Sequence, residues 1–195
     1  ITIIADGAKS VYAADLDGDG DADVMSASGW DCAIAWYENL GGGVFGAQKF
    51  FLGGGYGESI YATDLDGDGH ADVLKTNHTQ GWIEVCFNQV EAGSFACQFL
   101  VSPSAHAVSS VYAADLDGDG DADVLASGSS LEWYENPGRG GVYSFWPRHY
   151  LHDNTAYGTS VYATDLDGDG DADMLSAWVA SGPGNDDKLA WYENL

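Results

Sequence analysis

The sequence predicts an all-β fold: one domain over residues 1–195, a four-bladed β-propeller of four repeats, each about 50 residues long with four strands. Three observations predict it. The nonapeptide "DLDGDGDAD" at 15–23 returns as "DLDGDGHAD" at 64–72, then unchanged at 115–123 and 165–173. The segments on either side of it repeat in the same order. No segment of helical length carries an apolar period near 3.6.

Each unit reads as four strands in chain order. "SVYAADL" before the acidic loop and "ADVMSA" after it are β-branched and apolar, so the loop joins a first strand to a second. "IAWYENL" (34–40) follows and is echoed by "IEVCFNQ", "LEWYENP" and "LAWYENL". It is apolar on both faces, as a strand sandwiched between neighbouring sheets must be. "KFFL" (49–52), "CQFL" (97–100) and "RHYL" (148–151) supply fourth strands, and "ITII" (1–4) is a spare one at the start. The units run 5–52, 53–100, 101–151 and 152–195 plus 1–4. The last unit lacks a fourth strand of its own, so "ITII" is expected to pair with 189–195 and close the last blade, which removes an exposed edge. The chain begins without Met, which points to a mature form or an excised piece.

The acidic loops explain much of an unusual composition. The formal net charge is -25, from 31 acidic and 6 basic residues. Every loop places Asp at positions 1, 3, 5 and 9: Asp15, Asp17, Asp19 and Asp23; Asp64, Asp66, Asp68 and Asp72; Asp115, Asp117, Asp119 and Asp123; Asp165, Asp167, Asp169 and Asp173. Four carboxylates within nine residues repel one another unless a cation sits among them. An all-oxygen donor set suits a hard ion with six to eight ligands, Ca²⁺ rather than Zn²⁺. Gly at positions 4 and 6 lets the chain curl through positive φ. Position 7 varies (Asp21, His70, Asp121, Asp171), which fits a residue that contributes its backbone carbonyl, as in an EF-hand loop. Four such loops predict four calcium ions. Even then the chain stays strongly acidic, which excludes nucleic acid and anionic membrane surfaces as partners. No apolar run reaches the length of a membrane span. With 45% hydrophobic and 13% aromatic residues, the charge does not imply disorder.

The D-x-D-G-D-G-x-x-D loop after an "SVYAADL"-like strand resembles the FG-GAP/VCBS repeat of integrin α-subunit propellers and of a fungal lectin. The resemblance covers all four units. It implies propeller blades with Ca²⁺ between the first and second strands, held by positions 1, 3, 5 and 9 and the carbonyl of position 7. Propellers of this kind commonly have seven blades, whereas this chain has four units.

Blade geometry puts the acidic loops on one face and the variable connections on the other. Trp30, Tyr56, His106, Tyr157 and Trp178 fall in or beside those variable connections and are the candidates for an exposed aromatic binding surface; the alternative is that they pack locally. Aromatic platforms with polar neighbours suit sugar rings. Trp36, Trp133 and Trp191 recur at one strand position and read as core between blades. Cys86 and Cys97 fall on neighbouring strands and can bridge, which leaves Cys32 over. "NHT" makes Asn77 a glycosylation candidate. The five His show no metalloprotease spacing, and neither a G-x-S-x-G nor a phosphate loop is present, so a non-enzyme is expected. The leading expectation is a secreted, calcium-stabilised binding or adhesion module for a glycan or an extracellular protein. A structural subunit of an extracellular filament, with self-association, is the second reading. An accessory or catalytic domain in polysaccharide breakdown is the third.

Overall fold

The computed structural model describes residues 7–29, 34–51, 56–78, 80–89, 94–100, 107–138, 146–153, 157–179 and 187–194. Those residues form strands and loops, with no helix among them. Blade 1 contains β1 (Ala8–Ala14), β2 (Asp23–Ser28), β3 (Ile34–Tyr37) and β4 (Lys49–Phe50). Blade 2 contains β5 (Ile60–Thr63), β6 (Asp72–Asn77), β7 (Trp82–Asn88) and β8 (Phe95–Phe99). Blade 3 contains β9 (Val108–Ala114), β10 (Asp123–Gly128), β11 (Ser130–Tyr134) and β12 (Arg148–Asp153). Blade 4 contains β13 (Tyr157–Thr164), β14 (Asp173–Val179) and β15 (Lys188–Tyr192). Each sheet is an antiparallel meander in chain order; the first three have four strands, the last three among the described residues. The fold is therefore the expected all-β, four-bladed propeller. The expected pairing of residues 1–4 with 189–195 falls on positions outside the described residues, as does Cys32.

The blades stack through their faces. β6 and β10 are buried at every position, because each lies in a sheet covered on both sides. One hydrophobic cluster fills each junction. Met25, Ala27, Ile34 and Trp36 of blade 1 meet Ile60, Ala62 and Val73 of blade 2. Leu74, Ile83 and Val85 of blade 2 meet Val111, Ala113, Val124 and Tyr134 of blade 3. Leu116, Leu125 and Leu131 of blade 3 meet Val161, Ala163 and Met174 of blade 4. The first strands of successive blades are neighbours, so they form the inner wall. Tyr12, Tyr61, Tyr112 and Tyr162 form a ladder along it, with 4.7 Å between successive ring centroids.

Two hydrogen bonds recur at each junction. The first-strand serine of one blade accepts from the next: Ile60 N–H to Ser10 Oγ (3.3 Å), Val111 N–H to Ser59 Oγ (3.3 Å) and Val161 N–H to Ser110 Oγ (3.2 Å). In blades 2, 3 and 4 the asparagine that ends or follows the third strand reaches back: Asn88 Nδ2 to Leu16 O, Asn136 Nδ2 to Leu65 O and Asn194 Nδ2 to Leu116 O, all at 2.8 Å.

Of the three repeating tryptophans, Trp36 is buried and Trp133 packs at the edge of the third cluster, as a core position should. Trp191 is half exposed, which corrects the expectation for that residue; it lies on the outward face of blade 4, where the described residues offer no following blade. Cys86 and Cys97 face each other across β7 and β8 and form a disulfide.

That bridge links residues 11 apart. Replacing both cysteines by Ala removes about 2–3 kcal/mol on the loop-entropy scale. The expected outcome is a Tm lowered by roughly 5 °C or more by calorimetry. An unchanged Tm would show that the bridge adds nothing to blade 2.

Candidate metal centres

The acidic loop turns the same way in all four blades. It leaves the first strand, curls through two glycines of positive φ (78° and 94° at Gly18 and Gly20, 86° and 104° at Gly168 and Gly170) and enters the second strand at position 9. The first aspartate organises the curl: Asp15 accepts from Gly18 N–H at 2.7 Å and Gly20 N–H at 2.9 Å. Asp115 and Asp165 do the same in their loops. Asp64 accepts from Asp68 N–H and Gly69 N–H. Position 3 accepts from the N–H of position 5, and position 5 from the N–H of position 7, as for Asp17, Asp19 and Asp21. The seventh residue joins the turn through its N–H, and His70 does so just as Asp21 does.

The ninth aspartate is the pivot. Asp23, Asp72, Asp123 and Asp173 are fully buried. One carboxylate oxygen accepts from the leucine N–H at loop position 2: Leu16, Leu65, Leu116 or Leu166, at 2.9–3.1 Å. The other accepts from the N–H of Asn39, Asn88, Asn136 or Asn194, at 2.7–2.9 Å. These asparagines were not among the expected site residues. Their signal was present: an Asn follows the third strand in every unit, in "YEN" three times and "FNQ" once.

Carboxylate oxygens converge in every loop. Asp64, Asp66 and Asp72 each offer one within 4.8 Å of the others, and so do Asp115, Asp117 and Asp123, and Asp165, Asp167 and Asp173; in the first loop the set is Asp15, Asp17 and Asp19. Burial pushes Asp72 up to about 7 and Asp123 up to about 6, against the two backbone N–H bonds that pull each down. Both lie in blades flanked on two sides. Burial also raises Asp23, Asp17 and Asp117. In the end blade the Asn194 N–H dominates and holds Asp173 below the ordinary carboxylate range. Crowded, hard, anionic oxygens on a preformed turn fit a divalent cation of the Ca²⁺ type.

The other expected sites fare unevenly. Tyr56 and Tyr157 are exposed at the end of the blades opposite the acidic loops. Trp178 is not: it is buried on β14 and stacks on His152 at 5.8 Å, so it belongs to the packing. Trp30 and His106 lie outside the described residues. Asn77 is buried at the end of β6, and its amide bonds Gln80 at 3.1 Å and 3.3 Å. A glycan on Nδ2 would have to leave from a buried position at the strand end, which speaks against the glycosylation expectation.

The fold and these loops define a class: propellers built from blades with an acidic, glycine-curled turn between the first two strands. The model of the FG-GAP-like repeat matches residues 15–74 and 124–176, more than half of the sequence, and the chain belongs to that family. No curated protein matches it. Among solved structures it is similar to the Vibrio cholerae biofilm matrix protein Bap1, with a TM-score of 0.56 and 22% identity. The match covers 95% of this chain and 26% of that one, so this chain spans about a quarter of the length of Bap1. At that identity the likeness establishes the fold.

The raised carboxylates fix the sign of a pH effect. In metal-free protein, Asp72 and Asp123 bind protons more tightly folded than unfolded. Their stabilising contribution is full below the unfolded value of 3.8 and is lost as pH rises through about 6 to 7. In chelator, Tm is expected to fall from pH 5 to pH 8. With Ca²⁺ present the slope reverses, because only ionised ligands hold the metal. Parallel pH profiles with and without Ca²⁺ would sink this account.

Proposed function

We propose that this chain is a non-enzymatic binding or adhesion module that works outside the cell, with four Ca²⁺ ions holding its blades in shape. One observation carries the reading: in each of four blades the acidic loop brings oxygens of three carboxylates within 4.8 Å of one another on a closely similar turn. The residues that would hold each ion are the aspartates at positions 1, 3, 5 and 9. When bound, the ion neutralises carboxylates that otherwise repel. Membership of the FG-GAP-like repeat family supports the calcium reading, and the matrix role in the description of Bap1 agrees with an extracellular setting.

The constant loops occupy one end of the blades and the variable connections the other. A rigid scaffold that presents variable loops is the usual arrangement of a recognition surface. Tyr56 sits there with His78, whose N–H donates to the Tyr56 carbonyl at 2.9 Å and whose ring meets Glu58 at 3.3 Å. Tyr56 packs one edge of its ring by Gly29 and leaves the rest open, which offers a stacking surface for a sugar at that end. A glycan is therefore the ligand class we assign to that end.

Two measurements test the reading. Binding to the folded state alone stabilises by about 2.7 kcal/mol per site at a hundredfold excess over Kd. Four sites at a few degrees per kcal/mol imply a Tm at least 10 °C higher in millimolar Ca²⁺ than in chelator, roughly. Equal Tm values would remove calcium from the account. On a glycan array, Tyr56→Ala is expected to lose binding while keeping the calcium-dependent Tm. An array without signal for the native chain would remove the glycan.

A further inference from the structure

One aromatic position repeats along the inner wall and takes no part in the sites already described. The first strand of each blade carries a tyrosine there: Tyr12, Tyr61, Tyr112 and Tyr162. Successive ring centroids are 4.7 Å apart, with the planes tilted by 51°, 47° and 50°. That separation is at the short end of aromatic contact, so neighbouring rings touch. Tyr12, Tyr61 and Tyr112 are only partly buried, which leaves them open to small solutes, and Tyr162 is exposed.

Packing accounts for a ring at each rung but not for a hydroxyl, since Phe would fill the same space. The hydroxyls act on one another. Burial raises Tyr61, and hydrogen bonding with Tyr112 and Tyr12 adds to the rise. Burial also raises Tyr112, whose hydroxyl bonds reach Tyr61 and Tyr162. Phenols arranged in this way hold reactive carbons together. When a phenol loses an electron and a proton, the ring carbons beside its oxygen carry much of the unpaired spin. Adjacent rings whose hydroxyls meet bring those carbons side by side.

We propose that the tyrosine ladder is an oxidative modification site, at which a one-electron oxidant of the peroxidase type, driven by hydrogen peroxide, joins tyrosines of successive blades as dityrosine. Two phenols each give up one electron and the hydroxyl proton. The two radicals couple through ring carbons next to the oxygens. Each ring becomes aromatic again as the hydrogen on the bonded carbon moves to its oxygen. One C–C bond replaces two C–H bonds, and the two electrons and two protons reduce one hydrogen peroxide to two waters. Ring contact lets a radical formed at one rung pass to the next, so a second radical on the ladder meets the first. Each bridge ties residues about one repeat apart and restrains the unfolded chain, as a disulfide does. The proposal rests on neither the calcium nor the glycan reading.

The test treats the native chain in Ca²⁺ with hydrogen peroxide and a haem peroxidase, isolates the one-chain fraction under denaturing conditions, and maps its cross-linked peptides by mass spectrometry. The expected bridges join Tyr12 to Tyr61, Tyr61 to Tyr112 and Tyr112 to Tyr162, each with the loss of two hydrogens, and the same fraction shows dityrosine fluorescence. Tyr61→Phe combined with Tyr162→Phe keeps every ring and leaves no two ladder phenols adjacent. That double variant is expected to lose nearly all of the fluorescence while circular dichroism stays that of the parent. Tyr150→Phe, which removes an exposed phenol away from the ladder, is expected to lose none. A one-chain fraction without dityrosine, bridges confined to Tyr56, Tyr150 and Tyr157, or a double variant as fluorescent as the native chain would overturn the proposal. The first two of these outcomes are read on the native chain and need no variant to fold.

Discussion

The buried carboxylate that ends the acidic loop of each blade is the constraint on which the rest of the structure hangs. The ninth loop aspartate has no exposure to water, yet in loops 2, 3 and 4 it converges with two others of the same charge. Its burial is tolerable because both oxygens accept backbone N–H bonds, one from the loop itself and one from the end of the third strand. A buried acceptor without such partners would cost several kcal/mol. The same asparagine whose N–H meets that carboxylate sends its side-chain amide to the preceding blade. Loop, third strand and neighbouring blade are thus one hydrogen-bonded unit. Anything that changes the charge of the loop is felt at the junction.

From this unit the stack grows by repetition. Each junction adds the same apolar cluster, the same serine acceptor and one more rung of the tyrosine ladder. Stability in such an array is close to a sum of blade terms and nearest-neighbour terms. The inner blades, with two neighbours each, bury their aspartates most deeply, and Asp72 and Asp123 are pushed up furthest. The end blades have one neighbour each among the described residues. Their carboxylates are correspondingly less desolvated, and Asp173 is even pulled down.

Blade 2 departs from the pattern and shows how the recipe tolerates change. Val85 and Cys86 replace the Trp–Tyr pair of the other third strands. The lost volume is made up by the disulfide to Cys97 and by Phe87 in the second cluster. A buried ion pair, Lys75 with Glu84 at 2.9 Å, stands where blades 1 and 4 have the small residues Ser26 and Ala35, and Ser176 and Ala190. Such a pair contributes little net stability but is costly to break, so it holds one register of that junction.

Much of this was legible in the sequence, and for identifiable reasons. The acidic nonapeptide, its glycines and the strand patterns around it are local features with strong conformational preferences. Four copies at a near-constant period leave few folds open, and the strand bounds of β2, β6, β10 and β14 follow the letters closely. The cystine of blade 2 was open to reading because its cysteines fall on adjacent strands. What the sequence could not convey is which partner each repeated residue meets. Ser160, Asn39 and Trp191 look the same as their counterparts in the other units, yet their surroundings differ because their blades stand at the ends of the stack. Trp178 looked like a surface ring and is core; Asn77 looked like an open sequon and is locked to Gln80. Identity and spacing are properties of the chain, and they determined the blade. Burial and pairing are properties of neighbours, and only the stacked structure decided them.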